Sequence, residues 1–153
     1  MRNIIEFISE ALNAPEAIFI QDSGAMWGTI GDKESKDKFE ELLASFTANA
    51  KLFGIGNYNK IKMIEDIDDL SCSGPHPGEK IISQIDGLVK QLKPSKCVFI
   101  GDEFLFGAAS ETIKNIAKSQ QVELYVICDG SKYIMKNVQD NFSNVNNITV
   151  HEF

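Results

Sequence analysis

Residues 96–130, KCVFIGDEFLFGAASETIKNIAKSQQVELYVICDG, contain two apolar runs with an amphipathic segment between them. The runs Cys97–Ile100 and Val122–Ile127 are short and rich in β-branched and aromatic residues, which predicts two buried strands. The intervening segment Ala108–Ser119 carries apolar side chains at helical spacing. Strands this apolar, joined by a helix, are typical of parallel pairing, so the stretch predicts a βαβ unit.

The same alternation continues on both sides of this unit. Downstream, Lys132–Phe142 predicts a helix and Ile148–Val150 predicts a closing strand. Upstream, the Ser-, Gly- and Pro-rich loop Ser71–Gly78 precedes a helix with the clearest apolar stripe in the chain. That stripe consists of Ile81, Ile82, Ile85, Leu88, Val89 and Leu92. Residues 71–153 are therefore predicted to form an αβαβαβ portion with right-handed crossovers.

Residues 1–70 predict a different order, αββαββ. The first helix is amphipathic, with Ile4, Ile5, Ile8, Ala11 and Leu12 on one face. Next, Ala17–Ile20 predicts a strand, Asp22–Gly24 a tight turn and Ala25–Ile30 the antiparallel partner. A second helix and the strands Lys51–Gly56 and Lys60–Ile64 complete this portion. The whole chain, residues 1–153, is thus predicted to be a single-domain α/β sandwich with a mixed sheet and C-terminal parallel βαβαβ units.

Charge and composition narrow the classes of function. The chain has 153 residues, is 43% hydrophobic and carries a net charge of −7. A negative field repels phosphate groups, which disfavours direct nucleic-acid binding and docking on anionic membranes. Residues 1–70 contain 13 acidic and 7 basic side chains, against 9 and 8 in the remainder. A basic protein partner would therefore meet the N-terminal portion.

The lack of long apolar runs and the arrangement of the cysteines indicate a cytoplasmic protein. No apolar run approaches the roughly 20 residues that a membrane span needs. Glu6 and Glu10 interrupt the N-terminal apolar stretch, which is untypical of a signal peptide. Cys72, Cys97 and Cys128 are odd in number, far apart and without a CxxC pair, so neither a disulfide framework nor a cysteine zinc site is expected.

Acidic residues follow two consecutive predicted strands. Asp102 and Glu103 come directly after the strand ending at Ile100, and Asp129 follows the next strand. Ligands of open parallel sheets bind where loops leave the C-terminal strand ends. These carboxylates are candidates for binding Mg²⁺ or a ribose, or for acid and base catalysis. The alternative is that Asp serves here as a turn or helix-capping residue.

His76 and Cys128 are further ligand-binding candidates. His76 lies between two prolines in Gly74–Gly78, where a rigid base or metal ligand would be well placed. Cys128 follows a strand and could act as a nucleophile with His76 as its base. The alternatives are an exposed loop histidine and a buried structural thiol. The chain has no HxH or HExxH pattern, and we predict no metal and no cofactor.

Aromatic and acidic clusters are candidates for an interface. Phe104 and Phe106 fall in a predicted loop, and Trp27 lies in the predicted hairpin. Exposed rings of this kind contact partners, unless the core covers them. The segment Glu65–Asp69 contains Asp66, Asp68 and Asp69 without the spacing of a calcium loop. It predicts a solvated acidic turn or a patch for a basic partner.

Residues 76–109 resemble one segment of the uracil-DNA glycosylase superfamily. The resemblance rests on the helix end Val89–Pro94, the strand Cys97–Gly101 and the small residues Gly107–Ala109. That superfamily includes non-catalytic members such as the psi subunit of the bacterial replicative clamp loader. Its water-activating Gly–acid/amide–Pro motif and its His-Pro-Ser loop are absent from this chain. The resemblance therefore implies the fold without the glycosylase reaction, in a helper protein of a larger assembly.

The favoured hypothesis is a non-enzymatic accessory or protein-binding protein of a cytosolic, bacterial-type assembly. We assign no catalytic residue, and enzymatic activity is left open rather than favoured. One alternative is a small enzyme or a nucleotide- or small-ligand-binding protein that uses the acidic strand-end loops. Another is an acidic immunity or inhibitor protein with a basic target. A homo-oligomer is compatible with each of these hypotheses.

Overall fold

The computed structural model describes residues 15–56, 60–75, 77–128 and 130–153, with the backbone alone at Trp27. Its strands are β1 (Ala17–Gln21), β2 (Lys51–Ile55), β3 (Ile61–Ile64), β4 (Cys97–Gly101), β5 (Val122–Val126) and β6 (Ile148–Glu152). Its helices are α1 (Trp27–Gly31), α2 (Lys33–Ala44), α3 (Glu79–Leu92), α4 (Glu103–Ala108), α5 (Ser110–Ala117) and α6 (Lys132–Phe142). Short 3-10 turns cover Gly24–Met26 and Ile67–Asp69. The predicted N-terminal helix lies outside the described residues.

One sheet contains all six strands in the order β3-β2-β1-β4-β5-β6. Strand β3 runs antiparallel to β2, and every other neighbouring pair is parallel. The predicted α/β class, the mixed sheet and the parallel C-terminal βαβαβ units are therefore confirmed. Among the described residues, no helix is long and apolar enough to cross a membrane.

Two hydrophobic clusters cover the two faces of the sheet. Alternate side chains of each central strand point to opposite faces, as in β4, where Val98 and Ile100 face one cluster and Cys97 and Phe99 face the other. The first cluster includes Met26 of the first 3-10 turn and packs under α1 and α2; the second packs under α3 to α6. The molecule is thus a three-layer α/β/α sandwich.

A ladder of phenylalanine rings crosses the centre of the sheet. Phe19 of β1 pairs in register with Phe53 of β2 and with Phe99 of β4. The ring centroids lie 5.3 and 5.1 Å apart in stacked arrangements. All three rings are buried, so the ladder joins three neighbouring strands on one face through aromatic contact.

The predicted hairpin at Ala25–Ile30 is wrong. This segment forms a 3-10 turn and helix α1, and β1 pairs with β2 in parallel. A parallel pair needs a crossover connection rather than a tight turn, and α1 with α2 supplies it. Met26 and Ile30 are four residues apart and both pack on the core, which is helical spacing. Short apolar runs do not distinguish strand from helix by periodicity, which explains the error.

The predicted loop at Phe104–Phe106 is also wrong, because α4 begins at Glu103. The Asp102 side chain accepts hydrogen bonds from the backbone N–H groups of Phe104 and Leu105, at 3.0 and 3.3 Å. This is an N-cap, and it starts a helix several residues before the predicted one. The short helix α4 then continues, after Ala109, into α5.

Candidate functional site

The C-terminal edge of the sheet contains a topological switch point between β1 and β4. The chain leaves β1 toward the face covered by α1 and α2, and it leaves the neighbouring β4 toward the face covered by α3 to α6. Loops that diverge in this way leave a crevice above the strand ends, and open α/β sheets bind ligands there. The residues that follow β1 and β4 therefore form the candidate site.

Three polar residues at the end of β1 are buried. Gln21 and Ser23 are fully buried and Asp22 is 3% exposed. The Gln21 side-chain amide donates to Ser23 Oγ at 2.8 Å, and its Oε1 accepts from the backbone N–H of Asp102 at 3.0 Å. Gln21 thus joins the two loops that flank the switch point.

Asp22 anchors the loop that precedes α3. Its Oδ1 accepts from the backbone N–H of Cys72 at 2.7 Å, and its Oδ2 accepts from that of Ser71 at 3.4 Å. Farther along, the backbone N–H of Gly24 donates to the carbonyl of Gly74 at 3.1 Å. The loop is therefore fixed beside the end of β1, and a buried carboxylate that accepts backbone hydrogen bonds in this way stabilises local structure.

Gly101 makes the close approach of the two loops possible. A Cβ atom at this position would lie 2.6 Å from Gln21 Oε1 and 2.5 Å from Leu105 Cδ2. Neither distance is compatible with van der Waals contact, so any larger residue would displace the Gln21 side chain or Leu105. Glycine as the last residue of β4 therefore leaves room for this hydrogen-bonded geometry, and a larger residue would require the buried side chains of Gln21 and Leu105 to shift.

A cleft of about 500 Å³ opens between the segments that leave β1 and β4. The residues that line it are Ala25, Gly28, Thr29, Ser35, Lys38, Asp102, Glu103, Phe104, Ile127, Gly130, Ile134 and Phe153. Its volume is in the range of small-molecule sites, roughly 300–1,000 Å³. Its wall combines a cation, two carboxylates, two hydroxyls and several apolar side chains.

The charged groups of the cleft come from different elements. Lys38 lies on α2, and its Nζ is 5.8 Å from the centre of the Phe153 ring. Asp102 caps α4 with one carboxylate oxygen, while Glu103 is exposed in the first turn of α4. Phe104 is 57% exposed and lines the cleft with a large aromatic ring. The cleft can therefore contact a ligand by charge, by hydrogen bonds and by ring stacking.

The structure brings part of the sequence-predicted site together. Asp102, Glu103 and Phe104 line one cleft. Asp129 and His76 lie outside the described residues, although Gly130, the neighbour of Asp129, lines the cleft. The side chain of Trp27 is likewise outside the described part.

Two other predicted residues are core residues. Phe106 is 1% exposed and packs in the second cluster, so its assignment to an interface is wrong. Cys128 is 2% exposed, and burial, with the nearby charge of Glu152, raises the pKa of its thiol. A raised pKa keeps the thiol protonated at neutral pH, which favours the structural alternative over the nucleophile.

The acidic segment forms a capped surface turn. Asp66 accepts from the backbone N–H of Asp68 at 2.8 Å, and Asp69 accepts from those of Glu65 and Asp66 at 3.0 and 3.3 Å. Asp68 also forms an ion pair of 2.6 Å with Lys36 of α2. All three aspartates remain exposed, so the turn is both locally structured and open to solvent.

Sequence reasoning missed the residues contributed by β1 and α2. The sequence pattern predicts a tight turn at Asp22 and Ser23, and it assigns no role to Gln21, Lys38 or Phe153. The available signal was the polar triplet directly after the apolar run Ala17–Ile20.

Within the described ranges, no group of three or more His, Cys, Asp or Glu side chains could hold a metal ion.

Comparisons with known proteins add no relative to this picture. Neither family models, nor curated proteins, nor solved structures give a match to the chain. The geometry of the site is therefore the basis for the proposed function.

Proposed function

We propose that this protein binds a small, ring-bearing polar ligand of the nucleoside or nucleotide class in the switch-point cleft. The observation that carries the proposal is the position of the cleft, between the loops that diverge from β1 and β4. This is the general ligand position of open α/β sheets. The volume of about 500 Å³ supports the same conclusion, because it suits a ligand of this size.

The cleft wall offers a complementary group for each part of such a ligand. Carboxylates accept hydrogen bonds from ribose hydroxyls, and Glu103, exposed at the cleft, is the main candidate, since Asp102 also caps α4. The ammonium of Lys38 can contact a phosphate as a point charge. The exposed ring of Phe104 can stack on a base, a contact that every base allows.

Binding is tested by calorimetry with the four common ribonucleosides and their 5′-monophosphates. We expect at least one of them to bind, and Glu103→Gln to weaken binding of nucleoside and monophosphate alike. Lys38→Gln should weaken binding of the monophosphate about tenfold, or about 1.4 kcal/mol, and leave the affinity for the nucleoside unchanged. Glu111→Gln and Lys136→Gln make the same charge changes at exposed positions outside the cleft.

A failure of all eight compounds to bind at millimolar concentration would refute the nucleoside assignment. Equal effects of the cleft variants and their controls would place the binding elsewhere on the molecule. Retention of full affinity in Phe104→Ala would remove the stacking contact from the proposal.

A second candidate function is that of an accessory protein in a cytosolic assembly. Two exposed aromatic rings favour it: Phe104 is 57% and Tyr133 is 76% exposed, in the first turns of α4 and α6. Exposed aromatic residues are enriched at protein interfaces. The resemblance of residues 76–109 to a superfamily with non-catalytic members is in line with such a role. Loss of a stoichiometric partner in the double variant Phe104→Ala, Tyr133→Ala, with an unchanged melting temperature, would support it.

A further inference from the structure

A second concave surface lies on α2, away from the switch-point cleft. It is a groove of about 450 Å³ between the C-terminal half of α2 and the 3-10 turn that follows β3. The residues that line it are Glu40, Leu43, Ala44, Phe46, Thr47, Ala48, Ala50, Leu52, Glu65, Asp66 and Ile67. None of them lines the switch-point cleft, so the groove is a separate surface.

The floor of the groove is apolar and only partly covered. Leu43, Phe46 and Leu52 pack on the first hydrophobic cluster and yet remain half-buried. Ile67 closes the floor from the 3-10 turn and is itself buried. When an apolar group of a partner covers such partly exposed side chains, apolar surface is removed from water, and this favours binding.

The rim of the groove is acidic. Glu40, Glu65 and Asp66 line it and are exposed. The hydrogen bond and charge of Asp68, helped by the charges of Glu40 and Asp66, raise the pKa of Lys36. Two lysines lie near the groove, and each is already paired: Lys36 with Asp68, and Lys96, whose ammonium lies 5.4 Å from the Phe46 ring, with Glu123. The carboxylates of Glu40, Glu65 and Asp66 therefore leave the rim with an excess of negative charge.

The acidic rim distinguishes between the possible occupants of the groove by their charge. A second copy of this chain carries a net charge of −7, and residues 1–14 contain Glu6 and Glu10 against Arg2. Both are negatively charged and would be repelled by the rim. A basic segment would instead meet opposite charges on the rim, while its apolar side chain contacts the floor.

We propose that this groove binds a basic, amphipathic peptide segment of a partner protein. The apolar floor would take one or two large aliphatic or aromatic side chains, as in the helix-in-groove mode of recognition. The acidic rim would contact flanking Lys or Arg residues and determine the sign of charge that the groove accepts. The partner is thus defined by its chemistry: an apolar anchor flanked by cations.

The test uses two fluorescein-labelled model peptides with the full chain. Both are 16 residues long, share one helical leucine pattern and differ only in carrying lysine or glutamate at the remaining positions. We expect the lysine peptide to raise the fluorescence polarisation in a saturable way and the glutamate peptide to leave it unchanged. Raising the salt from about 50 to about 300 mM should weaken the binding, because screening acts on exposed charges.

Two pairs of variants locate the binding. Ala48→Arg places a large cation in the groove at an exposed position and should lower affinity about tenfold, whereas Ala108→Arg, exposed at the end of α4, should not. The triple variant Glu40→Gln, Glu65→Gln, Asp66→Asn should also weaken binding. Its control makes the same three kinds of change at the exposed positions Glu79, Glu111 and Asp140.

Four outcomes would overturn the proposal. The first is no binding of the lysine peptide; the second is equal affinity in the groove variants and their controls. The third is a dimer in sedimentation velocity that Ala48→Arg dissociates, because it would assign the groove to a second copy. The fourth is binding only after Ile4→Asp and Ile8→Asp, because it would assign the groove to residues 1–14. None of these outcomes depends on the ligand of the switch-point cleft.

Discussion

The loops that follow β1 and β4 start at neighbouring points of the sheet and have opposite surroundings. After β1, the carboxylate of Asp22 is 3% exposed and accepts two backbone hydrogen bonds. After β4, Asp102 and Glu103 line an open cleft. The aspartate after β1 thus belongs to the scaffold, whereas the aspartate after β4 both caps α4 and lines the cleft. Acidity at a strand end therefore does not identify a binding residue until its burial is known.

The largest effect is expected from a comparison of Phe104 and Phe106, which lie two residues apart in α4. Phe106→Ala removes a ring that is 1% exposed and should lower the free energy of unfolding by about 3–5 kcal/mol. Phe104→Ala removes a ring that is 57% exposed and should cost less than about 1 kcal/mol. Urea denaturation at neutral pH measures both. Similar losses in the two variants would show that Phe104 belongs to the core as well.

The second test removes the buried carboxylate itself. Asp22→Ala leaves the backbone N–H groups of Ser71 and Cys72 without their acceptor, so we expect a loss of about 2–3 kcal/mol in unfolding free energy. Asp22→Asn keeps one side-chain oxygen as acceptor and should cost less. Asp37→Ala, at an exposed position of α2, is the matched control, with a change within about 0.5 kcal/mol. An Asp22→Ala protein as stable as this control would contradict the anchoring role.

The third test uses the pH dependence of the unfolding free energy that is due to the thiol of Cys72, a residue whose backbone N–H donates to Asp22. Burial, together with the charge of Asp22, raises the pKa of the Cys72 thiol from 9.0 to about 11. A folded-state pKa above the unfolded one gives stability that is complete below pH 9 and is lost as the pH rises to about 11. We expect the wild type to lose about 2 kcal/mol more than Cys72→Ala between these values. Urea denaturation at pH 8 and pH 11 measures the difference.

The Asp22→Asn variant serves as the control for the thiol. Without the carboxylate charge, the ionisation of Cys72, followed by thiolate absorbance, should shift to lower pH. Parallel stability curves for wild type and Cys72→Ala would show that the thiol is not in the environment described here.

The fourth and smallest test compares two glycines on either side of the cleft residues. Gly101→Ala places a Cβ 2.6 Å from Gln21 Oε1 and should destabilise the protein by about 1–2 kcal/mol. Gly107→Ala, inside α4, meets no atom within 4 Å and should stabilise it by up to about 1 kcal/mol. Thermal melting should show a lower melting temperature for Gly101→Ala and a higher one for Gly107→Ala than for the wild type. A neutral Gly101→Ala would mean that the two loops are joined less tightly than their hydrogen bond indicates.

The sequence predicted the parallel half of the fold well and the first crossover poorly. In residues 96–153 the short apolar runs alternate with longer segments whose helical periodicity is clear, so the runs between them are predicted as strands, and the structure confirms each of those strands. Ala25–Ile30 is too short for this, and only the parallel pairing of β1 with β2 shows that it cannot be a strand. That pairing is a tertiary fact without a local signal.

The candidate site was predicted in part for a similar reason. Asp102 and Glu103 follow a strand that was recognised, so their place at the sheet edge could be inferred. Lys38 and Phe153 come from α2 and from the end of the chain, and only the folded sheet brings them to the same cleft. Burial of Asp22 could not be predicted either, because its hydrogen-bond partners lie about fifty residues away in the chain.

The phenylalanine ladder has a consequence for the order in which the chain can fold. Phe19 lies on β1, about eighty residues before β4 in the chain, yet one of its two stacking partners is Phe99 of β4. Until that residue has been synthesised, one long edge of β1 has no strand to pair with. Contacts this distant in sequence slow folding and leave apolar strands open to wrong partners. We therefore expect a nascent chain that stops before β4 to need a chaperone, and the finished chain to release it.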